Sequence, residues 1–320
     1  MFGPLSQAFD GKKVGKGLPR RPWHDTGTGQ LARALRPDSA FLRRLAYAGA
    51  RFGPRFVIEH SPKFFGTAFA LALPETRARV LRNLRRVRGP QAFLTEQREV
   101  VQTFTSYAAC LAESLGIERA DAERTELTVQ GGEHLRAALA AGQGVILVTG
   151  HIGPWDCAAR LLAKDFRADV LVVMLAEPDE AARRVHDSVR ERSGVRVMHV
   201  GDHPLDALPL LRHVRGGGVV AIQLDRAAPG GRFLDVELFG GREQMPEGPF
   251  RLAALSGAPI VPIFAHRRGY FRYEFSVAAP ILVPRRATPL ELQSAAANAA
   301  DSMQSFISRH PTEWFHFADH

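Results

Sequence analysis

The hydrophobic pattern changes character near residue 125. From Phe41 to Leu115, apolar residues recur at helical spacing among arginines. This predicts amphipathic helices over Glu75–Arg88 and Glu96–Leu115, separated at Gly89-Pro90. Phe41–Ile58 has the same period, with Phe41, Leu45, Phe52 and Phe56 set among Arg43, Arg44, Arg51 and Arg55; Gly53-Pro54 should break or kink it. Past Thr125, short continuous apolar runs alternate with helical segments. Strands are predicted at Val145–Thr149, Val170–Met174, Val195–Val200, Val219–Leu224, Asp235–Phe239, Ile260–Ala265 and Phe271–Val277. Helices are predicted at Pro154–Phe166, Pro178–Ser193, Pro204–Arg215, Gly248–Ser256 and Thr288–Arg309. Continuous apolar strands alternating with helices predict an α/β fold: a mostly parallel central sheet flanked by helices, with the N-terminal helices packed on it. The expected organisation is an irregular leader over 1–40, a basic helical region over 41–128 and an α/β core over 129–320, the last two forming one domain.

Charge sharpens the role of the helical region. The net charge is +9 over 320 residues, yet residues 1–100 carry 19 basic and 7 acidic side chains, an excess of +12, and the remainder sums to −3. A basic, aromatic-rich helical segment suits an anionic membrane surface. No run of about 18 consecutive apolar residues occurs, so no spanning helix is predicted, and Met1–Leu18 lacks the apolar stretch of a secretory signal. Two cysteines, Cys110 and Cys157, cannot build a disulfide framework, which points to a reducing compartment.

The candidate chemistry gathers at strand ends. In VILVTGHIGPWDC, residues 145–157, a buried strand ends at Thr149, His151 follows the turn, and Asp156 falls in the first turn of the next helix. Ligands bind at the carboxyl ends of strands in open α/β sheets. A carboxylate that fixes an imidazole tautomer and steadies the imidazolium makes a general base, so Asp156 is expected to accept a hydrogen bond from the His151 ring. Asp225 and Arg226 end the fourth strand and should reach the same rim. Glu247 and Gly248 open a helix whose free N–H groups suit an anion or oxyanion, with Arg251 in its first turn.

These residues resemble those of a known family. The chain is similar to the late acyltransferases of lipid A biosynthesis and their relatives, the phosphatidylinositol mannoside acyltransferases, over roughly residues 75–315. The resemblance is carried by TGHIGPWD at 149–156, LDR at 224–226, LFGG at 238–241, EGPFRLAALSGAPIVPIF at 247–264, HPTEWF at 310–315 and Arg82-Asn83-Leu84 in the basic helix. It implies a glycerolipid-acyltransferase-like fold and a His151–Asp156 catalytic dyad. It also implies a functional arginine between the second and third strands, best matched by Arg192 with Arg190 and Arg196 as rivals, and places Asp225 near the site. Asp156 stands where lipid A enzymes usually carry Glu and mannoside enzymes Asp.

The implied reaction moves an acyl chain from acyl carrier protein or coenzyme A to a hydroxyl of a membrane glycolipid or lipid A precursor. It needs no metal or other cofactor. The implied location is the cytoplasmic face of the bacterial inner membrane, peripheral or monotopic. Three other readings compete. A metal hydrolase would use His186, His199, His203 and His213, but no carboxylate-rich ligand set accompanies them. A cysteine hydrolase would use Cys157, one residue past Asp156. A nucleic-acid-binding protein would fit the pI of about 10.2, but the charge is confined to one end and no binding motif appears, so no nucleic-acid partner is expected.

Overall fold

The computed structural model describes residues 47–119, 122, 124–175, 195–200, 207–226 and 231–317. The expected leader, the helix Pro178–Ser193, and Arg190, Arg192, His186 and His203 lie outside the described residues.

Among the described residues, a short helix at 47–52 is followed by three longer ones, α1 (Arg55–Ala72), α2 (Pro74–Arg88) and α3 (Phe93–Leu115). The short helix ends at Gly53-Pro54, where the sequence predicts a break. Pro74 opens α2 at a position that needs no N–H donor, and Arg85, Arg86 and Arg88 sit at its negative dipole end. The helices share a small core of Ala70, Val80, Leu84, Val100 and Phe104. A Cβ on Gly66 of α1 would lie 2.5 Å from the Thr105 Cα and 2.9 Å from the Phe104 carbonyl carbon, both backbone atoms of α3, so this close crossing requires glycine.

The α/β part follows as β1 (Glu126–Gln130), α4 (Gly132–Ala140), β2 (Val145–Thr149), α5 (Trp155–Asp165), β3 (Val170–Leu175), β4 (Arg196–Val200), α6 (Ala207–Arg215), β5 (Val219–Gln223), β6 (Phe233–Leu238), β7 (Gly241–Pro246), α7 (Gly248–Ser256), β8 (Ile260–Gly269), β9 (Arg272–Val277) and α8 (Pro289–Arg309). Seven strands form one sheet in the order β1-β9-β8-β2-β5-β3-β4. Every pairing in it is parallel except β8 with β9. The α/β fold with a mostly parallel sheet between helices is therefore as the sequence predicts.

Strand β2 lies at the centre, between β5 and β8, and is buried on both faces. Ile146, Val148 and Val220 face α7 and α8 in a cluster with Phe250, Ala296 and Phe306. Val145, Leu147 and Val219 face the other way, onto Leu135, Cys157, Tyr273 and Phe275. Each such side chain contributes about 1.5–3 kcal/mol on full burial, which is why continuous apolar runs read as strands here. Thr288 caps α8 in a reciprocal box with Glu291.

The sequence-based expectations need three corrections. The strand expected at Asp235–Phe239 is β6, which pairs only with β7 in a separate antiparallel hairpin. Its alternating Leu234, Val236 and Leu238 bury against the α8 layer instead of joining the sheet. Strand β8 continues past Ala265 to Gly269, because its polar end still pairs with β9. The edge strand β1, the hairpin strand β7 and the helix α4 were not expected at all.

The N-terminal helices dock through buried polar contacts. Asn83 Nδ2 donates to the His316 carbonyl at 2.7 Å. Glu113 at the end of α3 accepts from Arg267 Nε at 2.8 Å and from the Tyr273 hydroxyl at 2.7 Å, inside the sheet edge. Burial pushes the Glu113 carboxyl upward, against the pull of Arg267. Among the described residues, no helix is long and apolar enough to cross a membrane.

Candidate active site

The site is built on the carboxyl ends of β2 and β5, which run side by side in register, Thr149 opposite Gln223. Past Thr149 the chain turns at Gly150, and His151 faces the loop that follows β5. His151 Nδ1 lies 2.9 Å from Asp225 Oδ1. The His151 backbone N–H donates to Asp225 Oδ2 at 2.9 Å, and the Trp314 indole N–H donates to the same oxygen at 3.3 Å. Only 2% of the Asp225 side chain is exposed, against 18% of His151. Burial alone would raise the Asp225 pKa, but the His151 charge and hydrogen bond, with Arg226 nearby, hold it well below the usual carboxylate range. In the neutral imidazole, an ionised Asp225 that accepts from Nδ1–H leaves the lone pair on His151 Nε2.

Asp156 is the expected carboxylate partner of the His151 ring, and the carboxylate that meets its Nδ1 atom is Asp225. Asp156, in the first turn of α5, accepts from Ser114 Oγ at 2.6 Å. Ser114 sits at the end of α3, so the N-terminal helices reach the site directly.

The C-terminal segment straps the loop that carries His151 in place. The Phe315 N–H donates to the His151 carbonyl and the Gly153 N–H to the Glu313 carbonyl, both at 2.8 Å. Ile152 and Trp314 form an isolated antiparallel bridge. Gly153 has φ +55, and a Cβ there would run into the Ala265 carbonyl, so the loop requires glycine at this point. Arg226 donates to the Phe315 carbonyl at 2.9 Å, which ties it to this strap.

The remaining sequence candidates are dispersed. Gly248 begins α7, whose end leads directly into β8; its start therefore faces the same rim as His151. Glu247 and Arg251 form an ion pair with each other at 2.7 Å, and Arg251 is half exposed. Arg196 sits at the amino end of β4, on the rim opposite His151, in an exposed pair with Asp169 at 2.6 Å. That placement removes it as a rival for the functional arginine. Cys157 is buried beside Tyr273. His213 Nε2 lies near the Asp169 and Val219 carbonyls, as a structural histidine does. Among the described residues, no group of three His, Cys, Asp or Glu side chains is placed to hold a metal ion.

A largely apolar cleft runs between the sheet and α5, beside the His–Asp pair. Leu147, Leu162, Val172 and Ala221 line its depth, and Thr149, Trp155, Asp156 and Gln223 its upper end. The Trp155 ring, which lines the upper end of the cleft, packs edge-on to His151 at 5.6 Å between centroids.

A profile of bacterial lipid A biosynthesis acyltransferases matches residues 30–320. The chain belongs to that family. Phosphatidylinositol mannoside acyltransferases from two Mycobacterium tuberculosis strains are each 28% identical to it over 195 residues, 60% of this chain and 59% of theirs. The protein of that name from Mycolicibacterium smegmatis is 28% identical over 186 residues, 57% of this chain and 60% of its own. The matched stretch thus spans about three fifths of the length of these relatives.

Sequence reasoning missed Ser114, Trp314 and the pairing of Asp225 with His151. The last had a usable signal: both residues follow the ends of strands that the apolar runs already identify, and neighbouring strands bring such residues together.

Proposed function

We propose that this protein transfers a fatty acyl chain from an acyl thioester, on acyl carrier protein or coenzyme A, to a hydroxyl of a membrane glycolipid. The acceptor class is a phosphatidylinositol mannoside or a lipid A precursor. The observation that carries the reading is the imidazole of His151, tied at Nδ1 to the buried Asp225 carboxylate and packed on Trp155, which lines an apolar cleft. Membership of the family supports the same chemistry.

His151 Nε2 takes the proton from the acceptor hydroxyl as its oxygen attacks the thioester carbonyl. Asp225 holds the tautomer and steadies the imidazolium. The tetrahedral adduct then collapses, the C–S bond breaks, and His151 returns the proton to the departing thiolate. The apolar lining of the cleft suits the first carbons of an acyl chain, and its volume of about 50 Å³ means that a whole tail needs the cleft to widen. Asp156 and Trp155 shape its mouth. A positioned base contributes typically about 10²–10⁴-fold.

The N-terminal helices are the proposed membrane contact, on the cytoplasmic leaflet where acyl thioesters are supplied. On α1, Phe56 and Phe64 are 71% and 72% exposed, on the side away from the buried Ile58, Pro62, Gly66 and Ala70. Phe52 in the preceding helix and Val57, Phe65 and Leu71 on α1 are exposed as well. An exposed aromatic face next to a strongly basic helix suits an anionic interface without a spanning segment.

Lipid mass spectrometry of cells with and without the gene tests the reading. The prediction is one glycolipid class that lacks a single acyl chain in the deletion and regains it with wild-type protein but not with His151→Ala. Identical lipid profiles in both strains would contradict it.

A further inference from the structure

The carboxamide of Gln223 ends β5 with its Nε2 buried and without a hydrogen-bond partner. Buried amide N–H groups are nearly always paired, so an orphan on a cleft wall calls for an acceptor that arrives with a ligand. Its placement says which acceptor. Gln223 lies opposite Thr149 on adjacent parallel strands, and both line the upper end of the apolar cleft. Two residues further along each chain come His151 and Asp225, which pair with each other. The chains run on from these two residues through turns to the His–Asp pair, so Gln223 lies deeper along β5 than that pair.

An acyl chain lying in this cleft would have its reacting carbonyl between the imidazole and the apolar depth. We infer that Gln223 is a catalytic residue that donates its Nε2–H to the carbonyl oxygen of the acyl group, and holds that oxygen as it becomes an oxyanion. The inference rests on the acyl-transfer reading of the site. Gln223 adds an oxyanion donor from the wall of the cleft itself. A donor fixed in a low-dielectric wall acts most strongly where charge develops.

The test compares Gln223→Met and Gln223→Glu with the wild-type full-length protein. Methionine keeps the length and apolar fit but removes the donor; glutamate keeps the shape and offers an acceptor instead. Loss of one oxyanion donor should lower kcat about 10²–10³-fold in both variants. KM for the acceptor should change little. The unfolding midpoint of Gln223→Met should not fall, because the group removed has no partner in the free protein.

A second readout needs no turnover. A palmitoyl-coenzyme A analogue with the thioester sulfur replaced by methylene, labelled with carbon-13 at the carbonyl, is bound and its carbonyl stretch recorded by infrared difference. The stretch should lie at lower frequency in wild type than in Gln223→Met. Wild-type transfer with unchanged kcat and stretch in Gln223→Met, or retained activity in Gln223→Glu, would overturn the inference and leave the acyl-transfer reading standing. A wild-type protein that neither binds the analogue nor transfers an acyl chain would overturn both.

Discussion

Replacing Asp225 by asparagine separates a catalytic pair from a turn-closing hydrogen bond. The carboxylate accepts three N–H groups: His151 Nδ1–H and the His151 backbone N–H, each at 2.9 Å, and the Trp314 indole N–H at 3.3 Å. An asparagine has one acceptor oxygen. If that oxygen stays between the backbone and indole donors, its NH₂ faces Nδ1. The imidazole must then present a lone pair at Nδ1 and carry its proton on Nε2, where it cannot act as a base. The charge is also lost. Two unit charges about 4 Å apart at an effective dielectric of about 20 interact by about 4 kcal/mol, a factor on the order of 10³ in rate. Asp225→Asn should therefore lower kcat about 10³-fold. Asp156→Asn should lose less, because its partner, the Ser114 hydroxyl, can turn to donate or accept. The assay is initial-rate transfer of a radiolabelled acyl chain from its thioester to a mannosylated phosphatidylinositol, with circular dichroism to confirm folding. An Asp225→Asn protein that keeps a third or more of the wild-type rate would remove Asp225 from the catalytic pair.

Other perturbations probe the frame around the pair. A methyl on Gly150 would lie 3.1 Å from Ile152 Cδ1 and 3.2 Å from Asp225 Cγ; Gly150→Ala should lower kcat roughly 10-fold by shifting the carboxylate, and unaltered kinetics would show that its position is not critical. Phe56→Ser with Phe64→Ser should weaken sedimentation with phosphatidylglycerol vesicles at least about 10-fold, since each aromatic contributes about 1.5–3 kcal/mol on burial; unchanged sedimentation would place the membrane contact elsewhere. His310 stacks on His266 at 4.0 Å, and burial and the His266 charge lower its pKa, with Arg309 adding to them and Glu313 and Glu274 opposing. Below about pH 6.5 the unfolded chain binds a proton that the folded one resists, so stability should fall as pH drops from about 7 to about 5. Urea midpoints should show that slope flattened in His310→Phe; an equal slope in the variant would assign it to other groups.

Much of the sheet is visible in the sequence because its central strands are apolar runs. Val145–Thr149 and Val219–Gln223 are nearly continuous apolar runs, as a strand covered on both faces requires. The missed strands are those that tertiary pairing alone holds: β1 is ELTVQ on a sheet edge, and β7 is the polar GREQMP held by β6. The site was legible in the same measure. His151 and Asp225 stand out at strand ends, and Asp156 by its spacing from His151. Which carboxylate meets the Nδ1 atom is decided by the register of β2 on β5, and no spacing along the chain encodes that. Trp314 lies 89 residues past Asp225 in sequence, and their hydrogen bond exists only once the C-terminal strap crosses the loop.

The role of His151 as the base is open to single-turnover acyl transfer by purified protein, wild type against His151→Ala. The variant should lose about 10²–10⁴-fold with no change in fold. Transfer by folded His151→Ala at the wild-type rate would show that another group removes the proton.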